Sequence, residues 1–195
     1  MSLAPTDYDF GVSANYAFAE KITCSNDEAR RMYVEAFGHM LNYNHEQAIA
    51  CFTKCTELDP NCAMAWWGIA YCLSSSYNWS AGLGPGYDAI SQAVSLKDHC
   101  SELEQDLIMA LSKRHTKEAR DNANPAALNM GNSPELNQAF ADAMAPLYEK
   151  YSGDLDVTAV YVEALMNLNP WTLWNKDAST GEITPVDDST LMLIK

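Results

Sequence analysis

The chain has 195 residues, of which 48% are hydrophobic and 19% charged, so it can form one globular domain and is not a disordered polypeptide. Its 12 basic and 26 acidic residues give a formal charge of −14. This balance argues against a nucleic-acid or anionic-membrane surface, because both need clustered lysine and arginine.

The first ten residues, MSLAPTDYDF, have no basic start and no apolar run, so they do not form a secretory signal. No apolar run reaches the roughly 18 residues that a membrane span needs. None of the six cysteines forms a C-x-x-C pair, and four of them fall in helical patterns, where a free thiol acts as a small apolar residue. We therefore expect no disulfide framework and a reducing, cytoplasmic location.

Hydrophobic periodicity predicts an all-α chain, and no segment shows convincing strand alternation. An N-terminal arm (residues 1–24) precedes a helical domain (25–195). The predicted helices span about 26–42, 45–58, 61–75, 86–98, 102–120, 134–151 and 155–168. Loops are predicted at 74–86 and 121–133, an irregular stretch at 169–185, and an incomplete helix at 186–195.

Local signals fix several of these helix ends. Ser25 with Glu28, and Ser101 with Glu104, have capping-box spacing, in which each side chain bonds the other residue's backbone. Ser133-Pro134 favours a helix start, since proline suits the first turn. Pro60 ends the second helix, because it disfavours helical geometry at the preceding residue and lacks an amide donor.

Residues 34–75 carry a repeat pattern. Trp66-x2-Ile69-Ala70-x2-Leu73 corresponds to W-x2-L-G-x2-Y, and Ala48-x3-Phe52 with Pro60 corresponds to A-x3-F followed by P. Phe37-Gly38-x2-Leu41 matches the same slots of the preceding helix, with Val34 in the tryptophan slot. The chain therefore resembles the tetratricopeptide (TPR) repeat family.

This resemblance implies a right-handed superhelical stack of antiparallel helical hairpins. The clearest units are 34–60 and 61–98, and 134–168 forms a further helical pair. Gly38, Ala48 and Ala70 would let helices approach closely, and Trp66 would be buried in the packing. The wording of residues 42–71 is similar to a divergent group of larger TPR-containing proteins, which predicts that this chain is an N-terminal piece.

TPR proteins use the concave face of each first helix to bind a protein or peptide, and the same function is expected here, without catalysis. The alternative occupant of the groove is the preceding arm or a neighbouring copy. The groove carries no lysine or arginine, so a clamp for a carboxylate tail is disfavoured. Transferred by position, the groove residues are Met32, Glu35, His39, Asn42, Tyr43, Met64, Trp67, Tyr71, Ser74 and Ser75.

Metal binding and catalysis have weaker support in the sequence. His39, His45 and Cys55 lack a recognised zinc spacing, and Cys55 falls where the repeat wants alanine, so we expect no metal and no cofactor. His45-Glu46 has no acid–base partner in the sequence, and no phosphate loop, G-x-S-x-G or H-E-x-x-H motif occurs.

Two other functions stay open. The first is an enzyme, or a small-molecule or metal-binding protein, whose site uses His39, His45 and the Asn78 loop and is completed by a missing C-terminal region. The second is a scaffold that forms homo-oligomers through apolar repeat ends.

Aromatic residues also cluster in two loops, PWTLWNK at 170–176 and Tyr77-Asn78-Trp79. Each cluster either covers a helix end or forms an exposed contact. We predict burial, because an exposed tryptophan pair costs solubility.

Overall fold

The computed structural model describes residues 21–78, 84–121 and 133–192. Most of the predicted arm, both predicted loops in part and the last three residues lie outside these ranges. Within them the chain is mostly helical, so the all-α prediction is confirmed for the described residues.

The helices succeed one another along the sequence, and a 3-10 turn, Lys97–His99, follows the fourth of them. The helices are α1 (Asp27–Leu41), α2 (His45–Leu58), α3 (Ala63–Cys72), α4 (Gly84–Leu96), α5 (Glu102–Ser112), α6 (Lys117–Asp121), α7 (Pro134–Lys150), α8 (Leu155–Met166) and α9 (Asp188–Met192). Each of α1 to α4 packs against the next, α4 also packs against α6, α5 packs against α7, and α7 against α8. None of the helices in the described ranges is long and apolar enough to cross a membrane.

One of the two predicted capping boxes forms. Ser101 accepts from the Glu104 amide, and Glu104 accepts from the Ser101 amide, as predicted. At α1 the predicted box is wrong, because the cap is Asn26, whose side chain accepts from the Ala29 amide at 2.7 Å. Ser25 instead donates its amide and hydroxyl to Asp59, 34 residues away.

The single helix predicted at 102–120 is two helices in the structure. α5 ends at Ser112 and α6 begins at Lys117. Between them Arg114 and His115 turn inward and are 2% and 3% exposed. The helix is interrupted where these two polar side chains are buried. Hydrophobic periodicity does not predict the burial of polar residues.

Helices α2 and α3 approach each other closely at Gly68. A Cβ atom built on Gly68 would lie 2.4 Å from the ring of Phe52, which is fully buried. Ala48 and Ala70 are fully buried too, as expected for small residues between packed helices. No close helix approach of this kind occurs at Gly38, since a Cβ atom there would meet nothing within 4 Å.

The two glycines should therefore respond oppositely to alanine. Gly68→Ala should lower the free energy of unfolding by ~1–3 kcal/mol, because the Phe52 ring must move within a packed core. Gly38→Ala should raise it by up to ~1 kcal/mol, because alanine favours the helix and meets no neighbour. Urea unfolding followed by far-UV circular dichroism measures both. Equal effects would contradict the close contact at Gly68.

The stretch predicted to be irregular at 169–185 contains a short hairpin. β1 (Trp174–Lys176) pairs antiparallel with β2 (Ile183–Pro185). Burial of the tryptophan pair is also contradicted, since Trp171 is 72% exposed and Trp174 49%. Tyr77 contacts Trp171, with ring centroids 5.3 Å apart, and Trp79 lies outside the described residues.

Candidate functional site

The α1 half of the predicted groove is partly open. Asn42 and Tyr43 are exposed, Met32 and Glu35 are half-buried, and His39 is buried. Tyr43 has a φ of +59°, in the left-handed region, where the chain turns from α1 into α2. These residues form a mixed surface with one aromatic ring at its edge.

The α3 half of the predicted groove lies inside the protein. All five of its residues are buried: Met64, Trp67, Tyr71, Ser74 and Ser75. The Trp67 indole donates to the Leu107 carbonyl of α5 at 3.1 Å, and the Tyr71 hydroxyl donates to Glu163 of α8 at 2.5 Å. Later helices of the same chain therefore cover this face.

The burial of the neighbouring tryptophan, Trp66, differs from the prediction. Trp66, expected in the packing, is only half-buried, and its indole donates to the Pro60 carbonyl at 3.2 Å. Trp67 is 1% exposed and is among the largest fully buried side chains of the described residues. Helix α3 thus buries most of its circumference, and sequence position alone does not separate its core face from its groove face.

A buried polar network joins the α5–α6 connection to α7. Arg114 donates to the Asn137 side chain at 2.9 Å and to the Ser75 carbonyl at 2.6 Å. Its guanidinium also lies 5.6 Å from the centroid of the Phe140 ring. Burial lowers the pKa of Arg114, and burial raises the pKa of Glu163 nearby. Such shifted groups mark active sites or structural ion networks.

The interior position of this network favours the structural interpretation. Ser74 Oγ lies 2.8 Å from His115 Nε2, a distance that suits a nucleophile and its base. However, these side chains are 2% and 3% exposed, and Ser74 also donates to the Ala70 carbonyl. In the portion of the chain that is described, neither reaches a surface where a substrate can bind.

The histidines named in the alternative hypothesis are separated by the fold. His39 lies with Glu35 and Cys51, with ligand atoms within 4.8 Å of one another. His45 is outside that group and packs against Tyr43, with ring centroids 5.9 Å apart. Burial lowers the pKa of both histidines. Asn78 is exposed at the last described position before residues 79–83.

A second cluster was not predicted from the sequence. The sulfur atoms of Cys24, Cys55 and Cys62 lie within 4.8 Å of one another. Cys24 precedes α1, Cys55 lies on α2, and Cys62 lies directly before α3. The spacing of these residues matches no metal motif. The only indication in the sequence was that a cysteine lies near each end of the first helical hairpin, α1–α2.

No protein-family model matches the chain, and no curated protein or solved structure is significantly similar to it. The resemblance to TPR repeats therefore depends on the residues at 34–75, and it stays a prediction.

Proposed function

We propose that the chain is a non-catalytic, protein-binding scaffold of the TPR type. The order of packing supports the repeat, since each of the first four helices packs against the next, and the short α1–α2 and α2–α3 connections favour antiparallel neighbours. The buried Ala48, Phe52 and Ala70 occupy the small and large slots of the repeat pattern. The open binding surface is not the α3 groove, because that face is covered within the chain.

The observation that carries this proposal is an exposed aromatic surface on the hairpin segment, residues 171–185, which we call the aromatic hairpin. Trp171 is 72% exposed, Trp174 49% and Ile183 63%. The strand register places Trp174 and Ile183 on the same side of the hairpin, with Lys176 and Pro185. Exposed tryptophans on an ordered segment are typical of binding hot spots.

Hydrogen bonds brace the turn and the base of the aromatic hairpin. Asp177 accepts from the Ser179 hydroxyl and from the backbone amides of Ser179 and Thr180, and these bonds lower the pKa of Asp177 to about 2. At its base, Asn169 donates to Asp187 at 2.7 Å. A preorganised surface loses little conformational entropy on binding, which favours affinity.

The backbone at Trp171 supports a functional role. Its φ is +64°, a left-handed conformation that is strained for a bulky residue. Strain of this kind is found most often at binding and active sites, where the fold holds a side chain in a required place. Here it leaves the indole exposed beside Tyr77.

The partner chemistry follows from charge. With 26 acidic and 12 basic residues, the chain attracts cationic surfaces and repels anionic ones. We therefore assign as partner a protein segment with apolar anchor side chains flanked by lysine or arginine.

A displayed library of random peptides tests this assignment. Selection on the purified chain should enrich peptides that combine aromatic or aliphatic residues with basic ones. The double variant Trp171→Ala/Trp174→Ala should weaken binding of a selected synthetic peptide at least about tenfold, because truncating a hot-spot side chain costs about 2 kcal/mol or more. Isothermal titration calorimetry measures the change.

Leu155→Ala is the matched control, since Leu155 is an exposed apolar residue, 80% accessible, outside the aromatic hairpin. It should leave peptide affinity unchanged. Selected peptides without basic residues, or affinity that survives the double tryptophan variant, would overturn the assignment. So would a dimer in solution that the tryptophan variant dissociates, because the hairpin would then bind a second copy.

A further inference from the structure

The three-thiol cluster combines donors from separate parts of the chain. Cys55 and Cys62 are fully buried and Cys24 is half-buried, so the cluster lies just beneath the surface. We propose that Cys24, Cys55 and Cys62 bind a thiophilic d¹⁰ cation, Zn²⁺ or Cu⁺. This inference is independent of the aromatic hairpin.

The geometry suits such an ion. Zinc–thiolate bonds are about 2.3 Å long, so sulfur atoms around one ion lie about 3.8 Å apart. The three sulfur atoms here lie within 4.8 Å of one another, so closure needs movements of about 1 Å or less. Thiolates select soft cations over Mg²⁺ and Ca²⁺, which prefer oxygen ligands. Three sulfur ligands satisfy Cu⁺, whereas Zn²⁺ takes a fourth ligand.

The segment that carries Cys24 is fixed to the α2–α3 turn. Ser25 donates its amide and hydroxyl to Asp59 Oδ2 at 2.6 and 2.8 Å. Asn26 donates to the Leu58 carbonyl at 2.9 Å, and the Asn61 amide donates to Asp59 Oδ1. Because residues beside Cys24 bond residues beside Cys62, the thiols are held together without depending on a bound ion.

The charged groups near the cluster oppose one another. Burial and the Asp59 carboxylate raise the pKa of Cys24 and so disfavour its thiolate, whereas Arg30 brings a positive charge to the same segment. Arg30 donates to the carbonyls of Ile22 and Cys24 at 2.9 and 2.8 Å. Three thiolates around Zn²⁺ carry a net charge of −1, and around Cu⁺ −2. The Arg30 guanidinium offsets part of this charge, which lowers the cost of holding thiolates in a buried site.

The other candidate cluster has mixed donors. Glu35, His39 and Cys51 bring one carboxylate, one imidazole and one thiol within 4.8 Å. Glu35 and His39 also take part in other interactions. The three-thiol cluster has a uniform donor set and hydrogen bonds that hold its segments together, so we assign the metal to it.

Metal titration of the reduced chain under anaerobic conditions tests this site. Co²⁺ should bind in one equivalent, give the charge-transfer absorption of cobalt–thiolate bonds and be displaced by Zn²⁺. A parallel titration with Cu⁺ against a chromophoric Cu⁺ chelator identifies the preferred ion. X-ray absorption of the loaded chain should show sulfur as the main ligand, whereas the Glu35 cluster would give mainly nitrogen and oxygen with a single sulfur.

Cys24→Ser is the mildest ligand change, because Cys24 lies in a connecting segment and is half-buried. It should weaken binding about 100-fold, and Asp59→Asn should weaken it about tenfold by loosening the segment. Cys72→Ala and Cys51→Ala should leave affinity unchanged.

Absence of one-equivalent binding would overturn the assignment. So would a nitrogen and oxygen first shell, or a loss of affinity in Cys51→Ala with none in Cys24→Ser. Because X-ray absorption uses the unaltered chain, the test holds even where a cysteine variant fails to fold.

Discussion

Replacing Trp67 with alanine should lower the free energy of unfolding by ~3–5 kcal/mol, as expected for truncating a fully buried tryptophan. The side chain is 1% exposed and stacks on Tyr71 with ring centroids 5.0 Å apart. Its indole also donates to the Leu107 carbonyl, which would lose a buried donor. Urea unfolding followed by far-UV circular dichroism measures the loss.

Trp66→Ala is the matched control on the same helix. Trp66 is half-buried, and its indole bonds the Pro60 carbonyl at a partly exposed position. We expect it to cost less, about 2 kcal/mol, because part of its surface stays in contact with water. Similar losses for the two variants would show that α3 does not bury the Trp67 face under α5. If Trp67 lay in an open groove, Trp67→Ala should instead lower the free energy of unfolding by less than Trp66→Ala.

The helix ends that local chemistry defines were predictable. The bounds of α2 agree with the prediction at both ends. Pro60 accounts for the end of the helix, whereas Asn44 precedes its start without a side-chain capping bond. The Ser101–Glu104 box also formed, since both partners lie within one helical turn. These signals depend on neighbouring residues only, so the sequence carries them in full.

The predictions that were wrong concern features that depend on residues far apart in the sequence. Asn26 caps α1 instead of Ser25, whose amide and hydroxyl donate to Asp59, 34 residues away. The break between α5 and α6 places Arg114 against Asn137 and Ser75, which the helical pattern of 102–120 does not contain. The hairpin strands have three residues each, too few to show alternation.

The candidate sites also depend on residues far apart in the sequence. The predicted groove assumed that the face of α3 opposite the repeat slots is open, but α5 and α8 are joined to that face through Leu107 and Glu163. The three-thiol cluster joins Cys24 to residues 31 and 38 positions later, and nothing between them indicates that they meet. Packing among helices far apart in the chain decides both.

Arg114→Ala should also be strongly destabilising, by about 3 kcal/mol or more. The guanidinium is 2% exposed and donates to the Asn137 side chain and the Ser75 carbonyl, and both acceptors would lose this buried, charged donor. Each hydrogen bond to a charged group contributes about 1.5–3 kcal/mol, and the lost contact with the Phe140 ring adds a packing term. Urea unfolding measures the loss.

Arg120→Ala separates this effect from the loss of a positive charge in an acidic protein. Arg120 lies at the surface with 34% of its side chain exposed, pairs with Asp88 and Asp121, and lies over the Tyr87 ring. Exposed ion pairs contribute about 0–1 kcal/mol, so this variant should stay close to the unaltered chain. If both variants lost equal stability, overall charge would explain the effect. A large loss for Arg114 alone would show that the buried network holds the α5–α6 connection against α7, and that its shifted pKa values arise from packing rather than catalysis.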